Sequence, residues 1–264
     1  MSSSAKAALH AFESWRSTIG LLMVEQFDYR FKGTRFGILI TLVEPILVVA
    51  VTVALRLLLR GHLPAYGTSL VLFYSSGILA FYMYLFLMAR ARASVRTDPA
   101  TRLPRTTSVD YLIAGVIVES ALMLTLLILW FLGMYTFGIE EAAPQNIIDC
   151  IVALLLLAAL GVGVGLTSAS ISRLVPYWRY VANRVTGRAL MFVSGAFFIV
   201  DLLPTAIRDV VVWIPIVHGL EWFRLGLYGR YPVNTLDREY LIGWVMGAMF
   251  VGILLFRSQL RSPK

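Results

Sequence analysis

Apolar residues in this chain gather in blocks rather than alternating with polar ones. Phe36 to Leu59, Ser69 to Met88, Tyr111 to Phe137 and Ile147 to Ile171 form four such runs, each near the ~20 residues a helix needs to cross ~30 Å of hydrocarbon. A fifth begins near Thr186, and a sixth runs from Tyr240 to Phe256. The stretch from Asp201 to Pro232 is too charged, and too broken by Pro204 and Pro215, to span a bilayer, yet too apolar for an ordinary loop. Short helices that enter the membrane and return satisfy both facts, provided protein or water covers their ends. Before the first run, Ala8, Phe12, Trp15, Ile19, Leu22 and Val24 or Phe27 recur at helical spacing, with Glu13, Arg16, Thr18, Glu25 and Asp28 around the rest of the turn. That stripe predicts an amphipathic helix over 8–27 lying in the membrane interface. The expected fold is all-α: one domain, 1–264, with six crossings, the interface helix, and a re-entrant segment over 201–232 between crossings five and six.

Composition supports this pattern. Hydrophobic residues make up 59% of the chain and charged residues 14%, against about half and about a quarter in soluble domains. The chain is an integral membrane protein. Lys and Arg number 23 against 15 Asp and Glu, a basic excess that in another setting suggests nucleic acid. Here the positions of the charges explain it, because Lys and Arg stay on the cytoplasmic side. Lys6, Arg16, Arg30, Lys32 and Arg35 precede crossing one; Arg90, Arg92, Arg96, Arg102 and Arg105 follow crossing two. Arg173, Arg179, Arg184 and Arg188 follow crossing four, and Arg257, Arg261 and Lys264 end the chain. The opposite side has only scattered arginines (Arg56, Arg60, Arg208, Arg224, Arg230, Arg238) and the acidic pair Glu140 and Glu141. Both termini are therefore expected in the cytoplasm, with no nucleic-acid partner. The single cysteine, Cys150, excludes an intramolecular disulfide and a cysteine metal cluster and reads as a buried thiol. The apolar run Ile19 to Val24 is shorter than the ~7–15 residues of a signal-peptide core, so the first crossing is expected to do the targeting.

No motif of covalent chemistry stands out. The run GVGVG, Gly161 to Gly165, lacks the Lys-Ser/Thr ending of a phosphate loop. Gly161 and Gly165 instead make a GxxxG pair that lets another helix approach, and Gly243 and Gly247 repeat the spacing. His10, His62 and His218 are too far apart in sequence and depth to suggest a shared metal site. Glu44 and Glu119 are more informative, since carboxylates inside a membrane are costly. Each lies eight residues into its crossing, or roughly 12 Å at ~1.5 Å per residue. They are read as a conduit wall, a proton relay, or carboxylates that lock helices together. Tyr74, Phe81, Tyr82 and Tyr84 cluster in crossing two; such rings suit either sugar faces or helix packing. In the segment Arg90 to Asp110, Ser94 or Thr97 is a candidate cap for a short helix around Pro99. Its arginines serve as a topology signal or as a docking surface for an acidic cytosolic partner.

Two stretches carry a family likeness: YRFKGTRFGILITLVEPIL, Tyr29 to Leu47, and SGAFFIVDLLP with WIPIVHGLEWFR, spread over Ser194 to Arg224. With the crossing pattern they resemble, over essentially the whole chain, the membrane subunit of an ABC-2 type exporter of the capsule polysaccharide, KpsM-like branch. Ile214-Pro215, where relatives often have Asn-Pro, and Glu44, where many have a neutral residue, depart from that pattern. The resemblance implies a homodimer in the inner membrane, seated on cytosolic ABC ATPase subunits. ATP would be used by those subunits, and no cofactor is expected on this chain. It implies a coupling helix within 90–110, with Arg92, Arg96, Arg102 and Arg105 as candidates, and exit helices over 201–232. It also implies an acidic, glycolipid-terminated polymer passing between the two copies, with Glu44, Tyr74, Phe81, Tyr82, Tyr84 and Glu119 as channel candidates. A periplasmic adaptor and an outer-membrane export protein would complete the route. His218, Glu221 and Arg224 share a helical face at spacing three and are candidates for an exit latch. Three rival readings are an exporter of O-antigen or teichoic-acid-type polymer, a membrane enzyme on lipid-linked sugars with Glu44 and Glu119 as acid and base, and a proton-coupled carrier.

Overall fold

Away from water, each backbone N–H and C=O must find its partner within the segment, so long apolar blocks become helices. The structure, a computed structural model, describes residues 15–28, 37–60, 63–96, 106–175, 177–178, 180, 185 and 187–261, with backbone alone at 37–41, 60, 96, 188 and 259–261. All regular structure among them is helical. In chain order the helices are α1 (15–28), α2 (Gly37–Arg60), α3 (Leu70–Arg96), α4 (Ser108–Thr136), α5 (Ile147–Leu174), α6 (Arg188–Val193), α7 (Thr205–Val211), α8 (Pro215–Tyr228) and α9 (Arg238–Arg261). Five of them, α2, α3, α4, α5 and α9, are long and apolar enough to cross a membrane, and the bent pair α7–α8 makes a sixth if counted as one span. α2 continues through Pro45 without a break. The expected fifth crossing is described mainly as α6, which ends at Ser194 and Gly195, the latter at φ +84°; Thr186 lies outside the described residues.

α3 is the hub, with 83% of its span buried. It packs most closely on α5 and also meets α4, α2 and α8. The α3–α5 contact depends on missing side chains: a Cβ on Gly161 would strike the Tyr84 carbonyl, and one on Gly165 the Met88 carbonyl. The first glycine pair thus does what its spacing predicts, bringing two backbones together in register. Gly163, on another face of α5, seats α9, where an added Cβ would lie 2.6 Å from the Ala248 carbonyl carbon. Gly243 and Gly247 differ: nothing lies within 4 Å of where their Cβ atoms would be. Together with Val164, Trp178, Trp244 and Val251 they line an open apolar groove of about 520 Å³ instead of a helix contact.

Helix starts correct one boundary. α3 does not stop near Met88 but continues to Arg96, so 90–96 of the expected coupling loop is helical. Ser94 is not a cap; its hydroxyl donates to the Arg90 carbonyl at 3.1 Å within that helix. Thr97 and Pro99 lie outside the described residues. The observed cap is Thr107, whose Oγ1 accepts from Asp110 N at 3.3 Å while Asp110 Oδ2 accepts from Thr107 N at 2.8 Å. This reciprocal box satisfies two donors that would otherwise be orphaned where α4 begins. At the other end of the bundle, Asn146 Oδ1 accepts from Ile148 N and Asp149 N to start α5.

α1 packs on the start of α4. Ile19 and Leu22 are buried against Tyr111 and Ala114, Trp15 Nε1 donates to Asp110 Oδ1 at 3.0 Å, and Gln26 Nε2 donates to the Tyr111 carbonyl at 3.1 Å. Leu21, Val24 and Phe27 remain exposed. The apolar stripe is therefore shared between α4 and an outward face. Ala8 and Phe12 lie outside the described residues.

Candidate functional site

α7 and α8 meet at a 100° bend. Ile214 precedes Pro215, which takes the first helical position, where its missing N–H costs nothing. α8 then lies on the beginning of α5 through two more glycines: Gly219 faces the Leu157 side chain, and Gly226 faces the Cys150 backbone and thiol. The Cys150 thiol is buried as expected, its Sγ–H donating to the Phe223 carbonyl at 3.7 Å.

The three candidates on α8 are all buried, at 1% exposure or less, and each holds a different segment. Arg224 gathers the most. Its Nη1 donates to the carbonyls of Gly195 (2.8 Å) and Phe198 (3.2 Å) and to the Tyr231 hydroxyl (3.2 Å). Its Nη2 donates to the carbonyls of Ala196 (2.7 Å) and Phe73 (3.4 Å), and Nε donates to Ser76 Oγ at 3.3 Å. The Phe73 ring lies 4.4 Å below the guanidinium carbon, a cation–π contact strengthened by desolvation. Gly77 is required beside it, since a Cβ there would strike Arg224 Nη2 and the Ala196 carbonyl. One planar fork thus joins α3, the turn after α6, α8 and Tyr231, which the single ammonium of lysine could not reproduce. Burial pushes the Tyr231 phenol above its ordinary pKa, against the opposing pull of the Arg224 charge.

His218 bridges two elements: its Nδ1 accepts from Asp237 N at 3.0 Å, leaving Nε2–H to donate to the Val212 carbonyl at 2.9 Å. The tautomer follows because a backbone N–H needs an acceptor. Glu221 accepts from Thr235 Oγ1 at 3.2 and 3.4 Å. Nearby, Trp222 Nε1 donates to Asp149 Oδ1 at 2.9 Å, and Arg238 stacks 4.6 Å over the Trp222 ring while pairing with Asp149 at 3.9 Å. Asp149, Trp222 and Arg238 were not anticipated; only their chemical types, a carboxylate, an indole and a cation, marked them in the sequence.

The channel candidates lie on α2, α3 and α4. Glu44 is half-buried on α2, where its Oε1 accepts from the Tyr82 hydroxyl on α3 at 3.2 Å. Glu119 is buried on α4, one turn beyond Gly115, which lies directly against the Arg90 side chain. Glu44 thus bonds to α3 from α2, and Glu119 is buried on the neighbouring α4. Phe81 and Tyr84 are core residues, the Tyr84 hydroxyl turning to Met88 Sδ at 3.3 Å, and Tyr74 packs edge-on against Phe73. Within the subunit these rings pack helices. Arg92 is likewise buried, at 7% exposure, so it is not part of a free docking face. The Arg96 side chain, Arg102 and Arg105 lie outside the described residues.

Five or six apolar helices, with described buried polar groups that tie helices together, define a polytopic α-helical membrane protein. No family model matches the chain. It is 30% identical over 243 residues, 89% of this chain and 90% of the relative, to the capsule polysaccharide export inner-membrane protein CtrC of Neisseria meningitidis serogroup B. The chain belongs to the family of capsule polysaccharide export inner-membrane proteins. It is also 23% identical to the polysialic acid transport protein KpsM of Escherichia coli, over 96% of this chain and 97% of the relative. The capsule polysaccharide export inner-membrane protein BexB of Haemophilus influenzae is 23% identical, over 91% and 90%.

Proposed function

We propose that this chain is the membrane-spanning permease that carries capsular polysaccharide across the inner membrane. The likeness to CtrC over almost the full length of both proteins, on a bundle of five or six spans, carries this reading. Each of the relatives above is named for capsule polysaccharide export or polysialic acid transport, which does not favour O-antigen or teichoic-acid-type polymers.

The finer reading is a homodimer driven by separate cytosolic ABC ATPase subunits, with both termini in the cytoplasm. The glycine run of α5 is spent on helix contacts, which supports placing ATP on another chain. Low burial of the α2 and α9 spans, 17% and 22%, leaves apolar faces for the second copy and for lipid. Segment 90–110 transmits the push of the ATPase, and α1 rests in the interface on its exposed Leu21, Val24 and Phe27. The sharp bend and short length of α7 and α8 support a re-entrant exit, latched by His218, Glu221 and Arg224. An acidic, glycolipid-terminated polymer then passes along the wall carrying Glu44 to a periplasmic adaptor and an outer-membrane protein. Shifting such an exit between two packings requires a bistable interface.

Co-purification tests this directly. The chain should bring down a protein bearing GxxxxGK[ST], and vesicles holding both should move glycan only with ATP. Turnover of lipid-linked sugars by the chain alone, or transport that follows a pH gradient and ignores ATP, would overturn the reading.

A further inference from the structure

Three connections converge at the end of the bundle that carries α8. Tyr66 and Gly67 come from the segment between α2 and α3, Glu141 and Gln145 from the α4–α5 connection, and Leu227 and Tyr228 from the end of α8; together they line a pocket of about 170 Å³. The pocket is preformed. Thr68 N donates to Glu141 Oε2 at 2.9 Å, Gln145 N to the Leu227 carbonyl at 3.2 Å, and Asn146 N to the Gly226 carbonyl at 2.8 Å. Gly67 sits at φ +72°, and a Cβ there would lie 2.6 Å from Glu141 Oε2 and 2.9 Å from the Tyr228 ring, so the wall needs glycine. Behind it the rings of Tyr66, Tyr228 and Tyr231 brace one another at centroid distances of 5.2, 5.1 and 6.1 Å.

We infer that this pocket is a binding subsite for one neutral sugar ring. Its chemistry is the aromatic surface of Tyr66 and Tyr228, set at 81° to each other, for the C–H side of a pyranose, with a carboxylate and an amide for its hydroxyls. Glu141 Oε1 and the Gln145 side chain carry no hydrogen bond among the described residues, so an acceptor and an amide remain for a ligand. The volume falls below the ~300–1,000 Å³ of drug-sized sites, which restricts the occupant to a single ring. The sign of Glu141 sets the specificity: its carboxylate repels an acidic sugar and accepts from neutral hydroxyl or N-acetyl groups. In a polymer with mixed repeats the neutral unit is the one held. The choice of a sugar rests on the glycan-export reading; the charge preference rests on the pocket alone.

Saturation-transfer NMR on the full chain in nanodiscs tests it, with methyl β-galactoside, methyl N-acetyl-β-glucosaminide and methyl β-glucuronide as probes. The two neutral glycosides should receive saturation at their ring protons, and the glucuronide should bind at least fivefold more weakly. Glu141→Gln, which keeps the shape and removes the charge, should bring that ratio within twofold, and Tyr66→Ala should abolish binding of all three. Absence of any neutral-glycoside signal, or an acidic-to-neutral ratio unchanged in Glu141→Gln, overturns the subsite. The ratio decides even if Tyr66→Ala is not monodisperse. Glycoside binding in a protein that exports no glycan would sink the transport reading and keep the pocket; glycan export without any glycoside signal would do the reverse.

Discussion

α3 and α9 are both apolar enough to cross a membrane, yet 83% of the α3 span is buried within the subunit and only 22% of the α9 span. Each takes part in a glycine contact, and each is tied to α8 through an arginine, α3 by Arg224 of α8 and α9 by its own Arg238 over Trp222. The difference lies in what the glycines meet. Gly161 and Gly165 of α5 accept the α3 backbone at Tyr84 and Met88, whereas Gly243 and Gly247 of α9 face an open groove. Spacing makes close approach possible, and the partner decides whether it happens. In a bilayer this matters more than in water, because apolar surface gains little by leaving lipid and packing must supply the attraction.

The contrast can be broken most severely at Arg224. Arg224→Ala leaves the buried carbonyls of Gly195, Ala196 and Phe198 without the donor that now serves them, at about 1–3 kcal/mol for each group left unsatisfied. Unfolding of the purified protein in mixed micelles should show a loss on the order of 3–5 kcal/mol, with Arg224→Lys recovering part of it. A loss under about 1 kcal/mol would mean that α3 is not anchored through this guanidinium. If the same clamp latches the exit, the variant should also uncouple ATP hydrolysis from export in a reconstituted complex; unchanged coupling would remove the latch.

Next in size is Gly161→Val, which forces α5 away from the Tyr84 carbonyl. Overpacking of this kind costs about 1–3 kcal/mol and should appear in the same unfolding measurement. The α2–α3 flank should respond less. Tyr82→Phe removes the hydroxyl that donates to Glu44, a change of about 1 kcal/mol. A double-mutant cycle with Glu44→Gln should give non-additive losses, and strict additivity would show that the pair does not interact in the assembled protein. Smallest of all, Gly247→Ala adds a methyl group to open space and should stay within about 0.5 kcal/mol of the parent. A penalty matching that of Gly161→Ala would reveal a partner seated on α9 and erase the contrast.

The blocks of apolar residues determined by themselves that the chain is helical and crosses a membrane several times, because a bilayer leaves the backbone no other way to pair its polar groups. The glycine pair of α5, the buried thiol of Cys150 and the unusual character of 201–232 were also legible, each being a local property of composition or spacing. The partners of the polar residues were not. Glu44 and Glu119 look equivalent along the chain, but the tertiary structure leaves Glu44 half-buried against Tyr82 and buries Glu119. Arg92 reads as a loop charge and is buried on a helix that runs eight residues further than its apolar block. Arg224 was visible as a candidate, while its ligands, the carbonyls of a turn some 26 to 29 residues earlier, were not, since any residue type presents the same carbonyl. The tyrosine pocket joins residues 66, 141 and 228, whose distance along the chain hides the site completely. Periodicity tells which faces avoid water; only the packed helices decide which polar atoms meet.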